Sequence, residues 1–339
     1  MNPENGFPEG IVWEITGGND GEIYFSDTKK GVVNFRNGKI AQRPELSEFS
    51  DKNVITIFHE KSGSIWIGSD EGLSRVSENK PEKIMIEPAP EKFQVTTIFI
   101  DSTGRLWVGS NKGLYLRENN IWRSLTSADG LPSLSIWAIH ESSNGLIRVG
   151  TKGGLAVFDG TSFTPITQRE GLVNDFVTAI VEDREHNIWI GTDGGVSKQL
   201  GWFPFKSYTL DSGLKNNNIW SFYEDKNNNI LISTDKGSDI ISSVSDKVIP
   251  NNLTYADKTF YPMINDRSGS TWLCSENSIL QIKDNQVIRV YDKWGKKFNY
   301  IQDVFQDSSD RIWFAAYPGS IILYEDGKFN QFKSEEFFE

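Results

Sequence analysis

One short motif recurs along the whole chain, and it constrains the fold more than any other feature. The motif Ile65-Trp66-Ile67-Gly68-Ser69 returns as Leu106-Trp107-Val108-Gly109-Ser110 and as Ile188-Trp189-Ile190-Gly191-Thr192. Weaker copies bring the number of repeats to eight. Their central residues, here called anchors, are Tyr24, Trp66, Trp107, Arg148, Trp189, Leu231, Trp272 and Trp313. Successive anchors are 41 or 42 residues apart, so repeats of nearly constant length cover the chain.

Each repeat predicts four short strands. An apolar residue begins a first strand twelve positions before the anchor, and a second turn, usually closed by glycine, follows the anchor strand. The position three before the anchor holds only residues that tolerate a positive φ, as a tight turn requires: Gly21, Gly63, Gly104, Gly145, His186, Asn228, Gly269 and Asp310. In five repeats an aspartate three residues earlier can cap this turn.

Four antiparallel strands every 41 or 42 residues are typical of a β-propeller blade. We therefore predict an all-β chain that forms a single closed β-propeller of eight four-stranded blades over residues 1–339. Seven blades plus one extra unit is the alternative. The predicted repeats cover approximately residues 10–45, 52–86, 93–127, 134–168, 175–210, 217–250, 258–291 and 299–335.

Composition narrows the possible partners. The net charge of −11 and the pI of about 5.0 argue against binding to nucleic acid or to an anionic membrane surface. No apolar run approaches the roughly 18 residues of a membrane-spanning helix, so we expect no membrane contact within this chain. A single cysteine, Cys274, excludes intrachain disulfides and multi-cysteine zinc sites. No nucleotide or cofactor motif is present, and we expect no cofactor.

At the repeated motif the chain resembles the two-component regulator propeller repeat. That pattern is an inner strand, a D-x-x-G turn, IWIGT and then a G-L strand, and the match is tight at Val54–Leu73, Val95–Leu114 and Val177–Val196. In that family such propellers form extracytoplasmic sensing regions of histidine kinases and hybrid regulators, some of which recognise glycans. The resemblance implies a non-enzymatic sensor, periplasmic or extracellular, that binds an oligosaccharide or a related small ligand. Its further partner would be the remainder of a sensor protein.

Candidate ligand-binding residues lie where the linkers enter the inner strands and where the second strands turn into the third, because these loops share one face of a propeller. Four large aromatic residues stand eleven positions before their anchors and could stack on sugar rings; they are Trp13, Trp137, Trp220 and Tyr261. The alternative is that they pack between blades. Lys152, Asp193 and Asp235 follow anchor strands on the same face and would form a polar rim.

Other residues are weaker candidates. Glu14 and Asp303 occupy a position that is small in most repeats, and ring closure would make them neighbours. They could bind a cation, act as an acid–base pair or face a water-filled channel. Arg148 stands at an anchor position where most repeats have an aromatic residue. It could be a functional cation, a member of a local ion pair or an exposed residue at a strand edge.

The sequence is compatible with three functions. The first is the ligand-binding sensor, which the family resemblance favours. The second is a propeller glycan lyase or hydrolase that uses Glu14 and Asp303 as its carboxylates. The third is a protein-interaction scaffold. Because no catalytic motif is present, we predict that the chain is not an enzyme. The anchor tryptophans and Cys274 are expected to be buried packing residues.

Overall fold

Nearly all the described residues of regular structure lie in short antiparallel strands. The computed structural model describes residues 11–36, 39–41, 43–60, 62–87, 89–90, 92–200, 205–225, 227–249, 260–275, 278–283, 286–291, 300–317 and 320–333. Contacts divide the chain into two compact units. Unit 1 comprises Met1–Met85 and Tyr261–Glu339, and unit 2 comprises Ile86–Phe260.

Unit 1 contains four blades, numbered by their order in the sequence. Blade 1 consists of β1 Ile15–Gly17, β2 Ile23–Asp27, β3 Gly31–Arg36 and β4 Lys39–Ile40. Blade 2 consists of β5 Val54–His59, β6 Ile65–Ser69, β7 Gly72–Ser77 and β8 Lys80–Ile84. Blade 7, which lies in unit 1 from its second residue onward, consists of β25 Phe260–Asn265, β26 Thr271–Ser275, β27 Ser278–Lys283 and β28 Gln286–Tyr291. Blade 8 consists of β29 Tyr300–Gln306, β30 Ile312–Tyr317, β31 Ser320–Glu325 and β32 Lys328–Lys333.

Unit 2 contains the other four blades. Blade 3 consists of β9 Val95–Ile100, β10 Leu106–Ser110, β11 Gly113–Glu118 and β12 Ile121–Leu125. Blade 4 consists of β13 Ile136–Glu141, β14 Ile147–Thr151, β15 Gly154–Phe158 and β16 Phe163–Ile166. Blade 5 consists of β17 Val177–Glu182, β18 Ile188–Thr192, β19 Gly195–Gln199 and β20 Phe205–Tyr208. Blade 6 consists of β21 Ile219–Glu224, β22 Ile230–Thr234, β23 Gly237–Ile241 and β24 Val248–Ile249.

Within every blade the four strands pair antiparallel in sequence order, so each repeat supplies a complete sheet. The protein is an eight-bladed β-propeller, which confirms the predicted fold class; the alternative of seven blades with an extra unit is wrong. Blades 8 and 1, both in unit 1, meet without exchanging a strand. Their sheets pack face to face, with the ring of Trp313 4.9 Å from that of Phe35.

The turns between first and second strands have the backbone geometry that the sequence predicts. All eight residues three positions before the anchors have positive φ, including the non-glycine residues His186 (65°), Asn228 (61°) and Asp310 (63°). Aspartates at the start of these turns accept backbone hydrogen bonds, as Asp101 does from Thr103 and Arg105. Local sequence therefore fixes where each first strand reverses.

The anchor residues form the packing layers between blades. Trp107, Trp272 and Trp313 are fully buried, and Trp189 is 2% exposed. In unit 2, the ring of Trp107 lies 5.4 Å from that of Phe158 in the next blade. Trp189 belongs to a cluster with Ile219, Ile230 and Ile241 of blade 6. These observations confirm that the anchor tryptophans are structural.

Candidate functional site

The linkers and the turns that follow the anchor strands are joined along one edge of unit 2, here called the linker edge. The backbone N–H of Lys152 donates to the carbonyl oxygen of Ser135 at 3.0 Å, and that of Asp193 donates to Phe176 at 3.2 Å. In blades 4 and 5 the residue that follows the anchor strand is thus bonded to the linker that enters the same blade. This pairing places the two predicted groups of loops together.

Short 3-10 turns fix the path of these linkers. Before blades 4 and 5, Thr126 and Thr167 form capping boxes with Asp129 and Glu170, and each threonine hydroxyl accepts a backbone hydrogen bond. The leucines that follow these turns and the corresponding turn before blade 6 are buried: Leu131, Leu172 and Leu214. The linkers are therefore anchored at both the capping residue and the leucine.

In six blades the inner strand has a β-bulge at the residue eleven positions before the anchor. The bulged residues include Trp137 and Trp220 of unit 2. A bulge re-aims the side chain of its extra residue away from the ladder. Trp137 is 49% exposed and Trp220 is 51% exposed. These two tryptophans are therefore not buried between blades, in contrast to the anchor Trp189, which is 2% exposed.

Both exposed tryptophans are held by their neighbours. The ring of Trp137 meets that of Phe176 edge-on at 5.2 Å, and its Nε1 donates to Oγ of Ser135 at 3.1 Å. The Nε1 of Trp220 donates to Oδ1 of Asp235 at 2.6 Å. Such contacts reduce the side-chain entropy that ligand binding would cost.

The blade between the two tryptophans carries a small residue at the same position. The hydroxyl of Thr178 donates to the carbonyl oxygen of Ile219 in the next blade at 3.0 Å. Thr96 in blade 3 makes the equivalent bond to Ile136 at 2.8 Å. The bulge position thus accommodates either a threonine that ties neighbouring inner strands or a tryptophan whose face is open.

The three predicted rim residues are electrically coupled. Burial raises the pKa of Asp193; the charge of Asp235 raises it further, and the charge of Lys152 lowers it. Asp235 also accepts a hydrogen bond from the side chain of Asn218 at 2.7 Å. The linker edge of unit 2 therefore combines two aromatic faces with one cationic and two acidic groups.

The remaining aromatic candidates belong to unit 1. Trp13 precedes β1 and is 51% exposed. Tyr261 lies in β25, and its side chain is outside the described residues. Both residues thus belong to unit 1, whereas Trp137, Trp220 and the three rim residues belong to unit 2.

Glu14 and Asp303 lie near each other in unit 1, but both are engaged by backbone. Oδ2 of Asp303 accepts from the N–H of Ile15 at 2.5 Å, and Oε2 of Glu14 accepts from the N–H of Ile57 at 3.0 Å. Each carboxyl thus binds the inner strand of the following blade. Burial and, to a smaller extent, the charge of Glu14 raise the pKa of Asp303 to about 8. Across the described ranges, no group of three or more His, Cys, Asp or Glu residues is placed to hold a metal.

Arg148 differs from the predicted local ion pair or exposed edge residue, and both of those interpretations are wrong. Its side chain is 3% exposed, and no described carboxylate lies within ion-pair distance of it. Sequence reasoning missed this because several of the residues around it, Glu182 and Gln199 among them, come from blade 5 and lie 34 to 51 positions further along the chain. Cys274 is fully buried, as predicted, and burial raises its pKa well above the ordinary value.

Comparison with known proteins agrees with the repeat pattern. The family model described as "Two component regulator propeller" matches residues 90–112, 171–194 and 213–236. Each matched segment runs from a linker or its end through the inner and anchor strands of one blade. No curated protein matches the chain.

Solved structures share the fold. One is the extracellular domain of a hybrid two-component system from B. thetaiotaomicron, at 17% identity and TM-score 0.63, with 98% of this chain and 52% of that one covered. Another is the extracellular domain of a one-component system from the same organism, at 19% identity and TM-score 0.57, covering 97% and 53%. The chain thus spans about half the length of these two structures.

A lyase has a similar fold as well. Virginiamycin B lyase from Staphylococcus aureus matches at 15% identity and TM-score 0.57, with 78% of this chain and 92% of the lyase covered. At such identities the likeness concerns the fold alone. Among the residues with a described structure, no helix has the length and apolar character needed to cross a membrane. Residues 90–112, 171–194 and 213–236 thus match the two-component regulator propeller repeat that the sequence predicts, and they belong to an eight-bladed propeller.

Proposed function

We propose that this chain is a non-enzymatic sensor propeller that binds an oligosaccharide or a related small ligand on the linker edge of unit 2. The observation that carries the proposal is the exposure of Trp137 and Trp220 on bulges of blades 4 and 6 at one edge. Aromatic faces bind the C–H faces of sugar rings, and nearby polar groups fix their orientation. Lys152, Asp193 and Asp235 supply such groups within this edge.

The signalling role of the proposal is supported by the family match. The matched segments carry two-component regulator propeller repeats, and similar folds occur in extracellular domains of two-component and one-component systems. A sensor of this kind transmits ligand binding to the remainder of a signalling protein. A periplasmic or extracellular location is part of the proposal, and the same comparison supports it.

The experiment that tests this function is a binding screen of the whole chain. Thermal unfolding is followed against a panel of neutral and acidic oligosaccharides, and the same mixtures are analysed by mass spectrometry. The proposal predicts stabilisation by at least one oligosaccharide with no change in its mass. Release of new products would support the glycan lyase or hydrolase instead, and the absence of any response would favour the protein-interaction scaffold.

A further inference from the structure

Blade 4 departs from the other blades in a buried layer that faces blade 5. In blades 3 and 5 the anchor tryptophan donates from Nε1 to an aspartate six residues earlier, at 2.8 Å in Trp107–Asp101 and 2.7 Å in Trp189–Asp183. Blade 4 has Arg148 as anchor, with Ser142 six residues before it. A charged group and a hydroxyl therefore occupy the place of an indole and a carboxylate.

A third position in the same layer has changed with them. The residue that pairs with the first residue of the anchor strand is Phe158 in blade 4, Gln199 in blade 5 and Ile241 in blade 6. Phe158 packs against the preceding anchor, Trp107, whereas Gln199 contacts the preceding anchor Arg148 at 3.5 Å. At this junction a serine thus replaces the aspartate of the neighbouring blades, and two further buried positions carry Arg148 and Gln199 where those blades have aromatic or aliphatic residues.

A cavity of about 330 Å³ lies beside Arg148 and Gln199, between blades 4 and 5. Its lining includes Ser142, Ser143, Arg148, Glu182, His186 and Gln199. Ser142 and Ser143 belong to the turn between the first and second strands of blade 4. Because strands alternate in direction, this turn lies at the edge opposite the linker edge. The cavity is therefore separate from the exposed tryptophans.

Among the described residues, no carboxylate is hydrogen-bonded to Arg148 inside this cavity. Its Nη1 donates to Oγ of Ser142, its Nη2 donates to Oε1 of Gln199, and its buried Nε has no hydrogen-bond partner. Burial lowers the pKa of Arg148, although Glu182 opposes this. A buried guanidinium without a bonded carboxylate is costly unless an anion binds it.

Glu182 does not fill this role because other donors hold it. Its carboxylate accepts from the backbone N–H and the hydroxyl of Ser143 and from Nδ1 of His186 at 2.8 Å. Burial raises its pKa, but these bonds outweigh burial and the pKa is lowered overall. Nε2 of His140 lies 4.0 Å from Glu182 and is buried without a hydrogen-bond partner; burial lowers the pKa of His140, so the ring is neutral near pH 7.

We propose that this cavity binds a small hydroxycarboxylate, whose carboxylate pairs with Arg148 and whose hydroxyl groups bond to Glu182 and Gln199. Guanidinium groups match carboxylates through two parallel hydrogen bonds. Glu182 accepts hydrogen bonds only, so it selects a ligand that also donates. The volume lies at the lower end of the range for small-molecule sites, and a bare inorganic anion would leave most of it unfilled.

The test compares two molecules with the same carbon skeleton. Gluconate carries the carboxylate, whereas sorbitol replaces it with a neutral alcohol. Calorimetric titration of the whole chain, at constant ionic strength, is expected to detect binding of gluconate and no binding of sorbitol. Acetate and sulfate, titrated in parallel, should bind at least tenfold more weakly than gluconate.

Variants of Ser142, Arg148 and Gln199 provide the second part of the test. The triple variant Arg148→Trp, Ser142→Asp, Gln199→Ile restores the residue types that other blades use, and it should fold while losing gluconate binding at least tenfold. Arg148→Met removes the charge alone and should give the same loss. Arg123→Trp, at an exposed arginine of β12, is the matched control and should bind gluconate as the wild type does.

Four results would overturn the proposal. They are no gluconate binding by the wild type, equal binding of gluconate and sorbitol, equal binding of acetate or sulfate, and unchanged binding by the folded Arg148→Met variant. None of these results bears on the linker edge, because the two sites share no residue.

Discussion

Trp189 donates a hydrogen bond of 2.7 Å from Nε1 to Oδ2 of Asp183, six residues before it in the same blade. Oδ1 of Asp183 accepts from the backbone N–H groups of Glu185 and Asn187 in the intervening turn. One carboxylate therefore joins the turn of a blade to the indole that packs against the next blade. The same arrangement occurs at Trp107–Asp101, Trp272–Asp266 and Trp313–Asp307.

Replacement of Trp189 by alanine should lower the free energy of unfolding by about 3–5 kcal/mol, as for other buried aromatic residues. The loss arises from a cavity at the junction of blades 5 and 6 and from the loss of the indole hydrogen bond to Asp183. Denaturant unfolding followed by circular dichroism measures it. Trp137→Ala is the exposed control and should cost clearly less; a loss below about 1 kcal/mol for Trp189→Ala would contradict the packing role.

Glycine at the second turn of blade 5 should be less replaceable than glycine at the first turn of blade 4. Gly195 has φ +129°, and an added Cβ would lie 2.4 Å from the carbonyl oxygen of Tyr208. Gly145 has φ +79°, and no heavy atom lies within 4 Å of its added Cβ. We expect Gly195→Ala to lower the thermal midpoint more than Gly145→Ala does, since only the former adds a clash to the strain of positive φ. Equal shifts would argue against the close approach.

Cys274 should react slowly with a thiol reagent in the native protein and rapidly after unfolding. The side chain is fully buried, and burial together with the nearby Asp303 raises its pKa, so little thiolate is accessible. Labelling with a chromogenic disulfide, with and without denaturant, measures the two rates. Similar rates in both conditions would show that the sulfur is accessible in the folded chain.

Asp303 should make the protein less stable as pH rises from about 4 to about 8. Its pKa is about 8 in the folded chain, against an ordinary value of 3.8. In this window the unfolded chain has lost the proton and the folded chain retains it, so stability falls by up to about 1.4 kcal/mol per pH unit. The raised pKa of Glu14 acts in the same direction.

The measurement is the pH dependence of unfolding for the wild type and for Asp303→Asn, which keeps a hydrogen-bond acceptor but does not titrate. The variant should have a flatter profile between pH 4 and pH 8. Parallel profiles for the two proteins would mean that Asp303 has an ordinary pKa.

The sequence predicted the blades because their signals are local. The turn position three before each anchor, the capping aspartates and the regular spacing of anchors all act within one repeat, as the positive φ of His186 illustrates. The sequence also placed Trp137 and Trp220 on the edge that carries the linkers. It did not predict that they stand on bulges, because a bulge depends on the pairing register of two strands.

The cavity beside Arg148 was beyond sequence reasoning for a different reason. Arg148 and Gln199 meet across two blades although they are 51 positions apart in the chain. Each substitution is unremarkable alone, and only their contact shows a buried charge without a carboxylate partner. A signal did exist: Ser142, Arg148 and Gln199 each depart from the residue types of the neighbouring repeats.

The central claim is that the linker edge binds ligand through Trp137 and Trp220, and the chain offers its own control substitution. Threonine occupies the same bulge in blades 3 and 5, so Trp137→Thr with Trp220→Thr should preserve the fold. Calorimetric titration with the oligosaccharide that stabilises the wild type is the most direct measurement. Each single variant should weaken binding by about 1–3 kcal/mol, and the double variant should abolish detectable binding, with unfolding little changed. Wild-type affinity in a folded double variant would contradict the account.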